Sequence, residues 1–582
     1  MKSLNGHIPS SRLQKAPIIM SIASHFPSSP LALACLAVFA TLPIASARAQ
    51  VAPDAGQVLR EQTAPILQPP RPSAGFRLIT PPAEPTLPGG ATVRLQSVRV
   101  QGNSVLPEAQ LLESLGDVTG QTLDMAGLRG LAEKVAETYH AAGYPFARAF
   151  LPQQNLSDGL LTIEVVEGRF GEVKTTGDAE LAPQAQEFLS RLVSGAVIES
   201  ATLERATLVL DDMPGVKTSP LMRPGSAFGT GNLEVDVQRT QAVRGDVGYD
   251  NHGSRYTGEH RLRANVIIDS PFMLGDQVQL NAITTSEDLW LGSLGYSLPV
   301  GTDGWRVQAS YAQTHYQLGK EFASSQASGT AMVSSVGATY PWVRSQALNL
   351  TVGVNFQHKD LQDKQGAAGT QTDKRSDASV ISLQFDRRDA LGGGGVTYGT
   401  LSFTPGQLQL GSSLKAQDSS SGVNSDGSFN KWNLDIARMQ ATDVIGLSLF
   451  GRVSSQWADK NLDSSERFGL GGPNGVRAYP VGEGYGDTGW LAQLELRYAV
   501  GDFSPFAFYD AGSVRLRAKP DSLTSQPSTN QRSVGGAGVG VRYASGPWSA
   551  DLAVAWRTEG GTPEADTTNR NPRAWLTATY RF

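Results

Sequence analysis

Two neighbouring stretches decide how this chain is read: Gly469-Leu470-Gly471-Gly472-Pro473-Asn474-Gly475-Val476-Arg477-Ala478-Tyr479, and further along Phe508-Tyr509-Asp510-Ala511-Gly512. A glycine-rich loop carries one arginine near its tip, and an alternating hairpin follows with one aspartate. That order suits a wide β-barrel that pins a segment inside its own lumen. The pattern predicts a pore.

Working outward, every segment after Thr240 alternates in character. Val243, Gly245, Val247 and Tyr249 alternate with Arg244, Asp246, Gly248 and Asp250; Trp490, Ala492, Leu494, Leu496 and Tyr498 alternate with Leu491, Gln493, Glu495 and Arg497. A soluble sandwich has the same period. Three features select a membrane barrel instead: an export signal, segments near the roughly 10 residues of a membrane strand, and a chain end with Leu576, Ala578, Tyr580 and Phe582 on one face. At roughly 21 residues per strand and connection, residues 240–582 predict about 16 strands, enough to enclose an aqueous channel.

Composition agrees with this reading. Charged residues are 18% of the 582, below the roughly 25% of soluble domains, and the 63 glycines suit many short strands and tight turns. A net charge of −5 argues against a nucleic-acid partner. Lys2, Arg12 and Lys15, the apolar run Leu31 to Leu42, and Ala47-Arg48-Ala49 before Gln50 predict a signal peptide over 1–49. The single cysteine, Cys35, lies in that run, which removes disulfides and thiolate metal sites from the mature chain.

Residues 50–67 predict a helix with Asp54 as N-cap and Val58, Leu59, Gln62 and Ile66 on one face, ended by Pro65. Residues 68–91 form a proline-rich tether. Residues 92–168 read as a β-α-α-β-β module. Its first strand changes phase between Leu95 and Val98, which predicts a bulge. Its main helix starts at Asp124, carries Leu128, Leu131, Val135 and Tyr139, and stops at Gly143. A weaker copy fills 169–239, with Leu203, Ala206 and Leu210 on a helix and Leu233, Val235 and Val237 on its last strand.

Catalytic signatures are missing. None of His140, His252, His260, His315 and His358 has metal-ligand spacing, and the chain has no Gly-x-Ser-x-Gly elbow and no Gly-Lys-Ser/Thr phosphate loop. The glycine pattern over 484–489 precedes a strand and opens no helix. The expectation is a non-enzyme with no metal and no cofactor.

Together with Gly143-Tyr144-Pro145-Phe146-Ala147-Arg148 and Asp386-Arg387-Arg388-Asp389, the two opening stretches give the chain its resemblance. It resembles the two-partner-secretion outer-membrane transporters, the TpsB family of haemolysin-activator and adhesin exporters, over nearly all of the mature length. The resemblance implies a transmembrane β-barrel of about 16 antiparallel strands in the outer membrane of a Gram-negative-type bacterium. It also implies two polypeptide-transport-associated (POTRA) modules in the periplasm and a mobile plug helix in the lumen. The long loop would act as a lid, its tip Val476 to Tyr479 folded inward and Arg477 paired with Asp510 beside Phe508 and Gly512.

By the same resemblance, Tyr580 and Phe582 form the signal read by the barrel-assembly machinery, and lipid surrounds the wall. The client is the N-terminal secretion domain of a large β-rich exoprotein, taken up by the modules and passed unfolded without ATP. The family tip usually has glycine where this chain has Ala478, so a left-handed turn there would be strained. Alternative readings are an insertase of the BamA type, which would carry more modules and no plug helix, and a passive porin, for which the modules would have no purpose.

Overall fold

The computed structural model describes residues 52–63, 67, 69–70 and 91–582. The expected signal peptide, Ile66, Pro65 and most of the tether lie outside the described residues.

The first strand of the first module is not bulged. The chain leaves one sheet and enters another: β1 (Val93–Arg94) pairs with β3 (Thr122–Leu123), while β2 (Ser97–Gln101) runs parallel to β5 (Leu160–Val166). Leu95, fully buried, sits at the corner, where its backbone bonds to Gln121 O (2.9 Å) and Gly120 N (2.7 Å). Between these strands lie α2 (Glu108–Leu115) and α3 (Met125–Ala141); β4 (Arg148–Phe150) completes the sheet β2-β5-β4. Helix α3 begins where the Asp124 carboxylate accepts from Gly127 N (2.8 Å), and the chain turns away at Gly143 (φ 93°). Leu128, Val135 and Tyr139 are buried with Leu161 and Ile163 in one core.

The second module repeats the design with β6 (Arg169–Gly177), α4 (Leu181–Phe188), α5 (Ser200–Asp211), β7 (Val216–Pro224) and β8 (Thr230–Arg239) in the sheet order β6-β8-β7. In both three-stranded sheets the strand that comes first in the chain lies parallel to the central strand, which comes last, and the remaining strand lies antiparallel to it. Only Glu167 and Gly168 separate β5 from β6. The Glu167 carboxylate accepts from Val105 N (2.8 Å), Tyr139 OH (3.1 Å), Arg169 Nη2 (3.1 Å) and the Ser104 hydroxyl.

The second module rests on the periplasmic turns of the barrel. Arg344 makes a two-pronged pair with Asp212 (2.6 and 2.8 Å), Arg205 donates to Pro341 O (2.8 Å), and Ser270 Oγ donates to Pro214 O (2.6 Å).

Sixteen antiparallel strands, β9 (Val243–Asp250) to β24 (Arg573–Arg581), close into a barrel in which β24 pairs with β9. Among the described residues no helix is long and apolar enough to cross a membrane. Parity sorts the side chains. Trp490, Leu494, Leu496 and Tyr498 are exposed on the lipid side, while Leu491, Gln493 and Glu495 are buried in the lumen. Closure rests on five register pairs, Thr577 opposite Asp250 to Arg581 opposite Asp246, extended by reciprocal backbone bonds between Gly245 and Phe582 (both 3.0 Å). Tyr580 and Phe582 face outward, Tyr580 against Trp548 (ring centroids 4.9 Å apart) and the Phe582 ring over Gly245.

A Cβ at Gly245 would lie 2.5 Å from Asn265 O and 2.6 Å from the Phe582 ring. Gly245→Val is therefore expected to impair closure and to lower the fraction of barrel that stays compact in an unheated detergent gel, whereas a wild-type-like compact band would show that the seam tolerates the side chain.

Candidate functional site: a loop and a helix inside the barrel

The connection between β19 (Leu447–Ala458) and β20 (Thr488–Tyr498) folds back into the lumen. Its glycines let it turn within itself: Val476 N bonds to Leu470 O (2.7 Å), and Tyr479 N to Val476 O (3.0 Å). Leu470 lies against Gly512 on β21 (Phe503–Arg515), where an added Cβ would come within 2.7 Å of it. The wall has a glycine there because the loop needs the space.

Arg477 reaches Asp510 through three donors: Nε (2.8 Å) and backbone N (3.1 Å) to Oδ2, and Nη2 (2.7 Å) to Oδ1. Its remaining arm, Nη1, reaches Glu495 Oε1 (2.6 Å), and its guanidinium carbon lies 3.5 Å from the centroid of the Phe508 ring. Glu495 also accepts from Arg497 Nε (2.8 Å) and Arg542 Nη2 (3.1 Å). Across the seam strand, Trp575 Nε1 donates to the Arg477 carbonyl (2.7 Å). Arg477, Asp510 and Glu495 are all nearly inaccessible to solvent.

Ala478 has no left-handed backbone. The strain expected of a missing glycine does not arise, because the missing space lies on the wall. A Cβ at Gly536 of β22 (Gln531–Ser545) would lie 2.4 Å from the Ala478 methyl. Val476 and Tyr479 are fully buried, and the Tyr479 hydroxyl donates to Glu559 O (2.6 Å) and Gly561 O (2.9 Å). Beyond the tip, Glu483 takes Arg532 Nη2 (2.6 Å) and the backbone N–H groups of Glu564 (2.9 Å) and Ala565 (3.0 Å), which joins the loop to the last extracellular connection.

At the loop's root Glu466 pairs with Lys359 (2.6 Å) and Lys431 (2.7 Å). Burial pushes its carboxyl upward, but the two ammonium groups outweigh this and hold it down to about 2.

The helix α1 (Ala55–Thr63) fills the space between this root and the opposite wall. Asp54 caps it, accepting from Gln57 N (2.9 Å). Its other oxygen takes Lys374 Nζ (2.5 Å) of β16 (Thr370–Asp389) and Ser464 Oγ (2.7 Å) of the loop. Ala55 N donates to Asp363 Oδ1 (2.8 Å) on β15 (Leu348–Gln365). Val58 and Leu59 are buried with Tyr316, Leu318, Ala331 and Leu361. Gln62 accepts from Arg261 Nη1 (2.9 Å), and Arg60 Nε donates to Arg467 O (3.2 Å). Gly56 permits the close contact with the loop, since a Cβ there would lie 2.4 Å from Ser464 Oγ.

Glu61 Oε1 accepts from Gln57 Nε2 (2.9 Å) while Oε2 is buried without a hydrogen-bond partner. Burial pushes this carboxyl up to about 7, against the Gln57 bond and the charge of Arg261, which pull it down.

Sequence reading missed Glu495, Trp575, Lys359, Lys374 and Lys431. Parity could have placed Glu495 and Trp575 on the inner face, but nothing local in the sequence names their partners. Taken together, the bore is filled from one side by the loop and from the other by the helix, both held by ionic and hydrogen-bonded contacts.

Comparisons with known proteins agree with this geometry. A family model described as Haemolysin secretion/activation protein ShlB/FhaC/HecB matches residues 229–543, and one described as POTRA domain, ShlB-type, matches residues 93–168. The chain is 26% identical over 478 residues to the heme/hemopexin transporter protein HuxB of Haemophilus influenzae (strain 86-028NP), covering 80% of this chain and 83% of that one. It is 24% identical over 483 residues to the outer membrane transporter CdiB of Dickeya dadantii (strain 3937), with 80% and 83% covered. Among solved structures, CdiB from Escherichia coli superposes with a TM-score of 0.70 at 20% identity, covering 88% of this chain and 94% of that one.

Removing one partner of a buried ion network costs about 3–5 kcal/mol, against about 0.5–1.5 kcal/mol for one neutral hydrogen bond. Glu495→Gln is therefore expected to speed backbone hydrogen exchange in residues 470–480 far more than Trp575→Phe; equal effects would show that Glu495 does not anchor the tip.

Docked α1 holds the Glu61 proton more tightly than free α1 does. Docking is therefore strongest when this carboxyl is protonated, weakens as pH rises from the ordinary carboxylate range to about 7, and levels off above that. Single-channel conductance is expected to rise between about pH 5 and pH 8 in the wild type and to be flat in Glu61→Gln, if the helix occludes the bore as placed.

Proposed function

The chain belongs to the haemolysin secretion/activation protein family ShlB/FhaC/HecB, and from that membership we propose how this outer-membrane pore moves its cargo. It is a translocation pore of two-partner secretion, with its α+β modules in the periplasm and its barrel in the outer membrane. The observation that carries the proposal is the filled bore. A cylinder of sixteen strands has an aqueous lumen, and here a lid loop and a plug helix occupy it through contacts that water and a passing chain can replace.

The cargo is a large β-rich exoprotein presenting an N-terminal secretion domain. Similarity to proteins named as hemolysin transporters, among them ShlB of Serratia marcescens at 29% identity over 250 residues, supports that class. The cargo arrives unfolded and adds as a strand to a module edge. The two modules do not offer equal edges. On β7 the outward N–H of Thr218 is already bonded to Asp211 Oδ1 (3.1 Å), and Pro220 and Pro224, on the same side, have none. Of the antiparallel edge strands of the two sheets, β4 and β7, β4 has no proline, and the first contact falls there.

The plug helix then leaves, the lid yields, and the client threads through. Folding of the client outside the cell prevents its return, and nucleotide hydrolysis in this chain plays no part.

Arg477→Ala removes the guanidinium donors to Asp510 and Glu495, keeps only the backbone N–H to Asp510, and leaves the wall intact. Its export of the partner is expected to fall several-fold more than its abundance in the outer membrane, by the rough scale of a lost buried charge pair. Normal export at normal abundance would remove the lid role.

A further inference from the structure

On the outer wall, away from every lumenal contact, the ladder between β16 and β17 (Gly395–Leu410) is interrupted. Ala378 pairs with Gly406 and Ile381 with Phe403, while Ser379, Val380, Thr404 and Pro405 between them are out of register pairing. Pro405 has no N–H to give to a ladder. A depression of about 640 Å³ opens over this gap, within the roughly 300–1,000 Å³ of small-molecule sites.

Parity fixes the depression on the outside. Lys359 and Lys374 reach inward to Glu466 and Asp54, so His358 and Asp377, which face each other in register, lie on the outer surface. The height follows from β15. Leu348, Leu350, Val352, Val354 and Phe356 alternate outward, and the next outward residues are His358 and Asp360. Those five apolar positions rise roughly 20 Å along a tilted strand, close to the roughly 25 Å apolar band of such barrels. The depression therefore lies at the upper edge of the band, at the end of the barrel away from the modules, level with the headgroups of the outer leaflet.

Its lining is not that of a lipid-facing wall. Ser334, Ser379 and Ser428 form a floor of small hydroxyl-bearing side chains spread across β14 (Ala327–Arg344), β16 and β18 (Gly427–Ala441). Phe356, 57% exposed, stands along the membrane side. His358 bridges Asp377 (2.5 Å) and Asp360 (3.0 Å) on the other, and Arg375 Nε takes the second oxygen of Asp360 (3.0 Å), which leaves Asp377 Oδ2 as a carboxylate acceptor at a rim of mixed charge. Hydroxyls and carboxylates in one groove match a polyhydroxylated ligand, whose OH groups both donate and accept. Phe356 offers a flat apolar face to a ring.

We infer that this groove binds the saccharide headgroup of a glycolipid in the outer leaflet, with the acyl chains descending over Phe356 and Val336. The ligand is part of the membrane itself, distinct from the exported chain, and it fastens the barrel at a fixed height.

The test uses the full-length protein in detergent micelles, titrated in parallel with lipid A and with phosphatidylglycerol, with retained adducts counted by native mass spectrometry. Lipid A is expected to be retained by the wild type and by Gly292→Leu, a change on another part of the wall where a side chain meets open space. Retention is expected to fall about tenfold in Ser379→Trp, which fills the floor. Should Ser379→Trp fail to give a compact barrel in an unheated gel, His358→Ala, an exposed position outside the ladder gap, carries the same comparison. Equal retention by the wild type and the groove variant would overturn the inference, as would wild-type retention of phosphatidylglycerol equal to that of lipid A, which would assign the groove to acyl chains.

Discussion

In hydrocarbon every backbone N–H and C=O must find its partner within the protein, and a sheet satisfies that rule only by closing on itself. The rest of this structure follows from that closure. Sixteen strands leave a bore too wide for side chains to fill, so the chain supplies its own filling from two places far apart in sequence. The filling is held by charges and hydrogen bonds together with apolar contacts, those of Val58 and Leu59 on the helix and of Leu470 and Val476 on the loop. The charges at the loop tip are tolerable because each is paired: Asp510 receives three donors from Arg477, and Glu495 is met by three arginines.

The two fillings touch, but not at the tip. Helix α1 meets the loop at its root, through Ser464 and the Arg467 carbonyl, and again at Gly482, where an added Cβ would lie 3.3 Å from Gln57 Nε2 and from Glu61 Oε1. The contacts of Arg477 are made with β20, β21 and β24 instead. The helix and the tip of the loop are thus held by separate sets of ion pairs.

What the sequence made legible was periodic or concentrated. Alternation gave the inner and outer faces, the spacing of segments gave about sixteen strands, and the isolated Arg477 and Asp510 stood out from glycine-rich and apolar surroundings. Contacts made only by closure were hidden. Trp575 meets Arg477 across a separation of 98 residues, and Lys374 meets Asp54 across 320; on its own strand each looks like any other inward-facing residue. The change of phase after Leu95 was read as a bulge because a bulge and a change of sheet shift parity alike. What distinguishes them is pairing with β3, two residues long and without periodic signal. Ala478 looked like a defect because its compensation, Gly536, lies on another strand.

The junction at Glu167 and Gly168 has a mechanical consequence. With two residues between the modules, a carboxylate bonded to both sides of the joint, and the second module pinned to the barrel through Arg344 and Arg205, the periplasmic part has no free swivel. As placed, it is a derrick whose hook stands at one set distance from the mouth of the well. Were cargo caught at β4, as proposed, it would have to pay out its own length across that gap, and the reach of the cargo would set how much of it must be unfolded before threading begins.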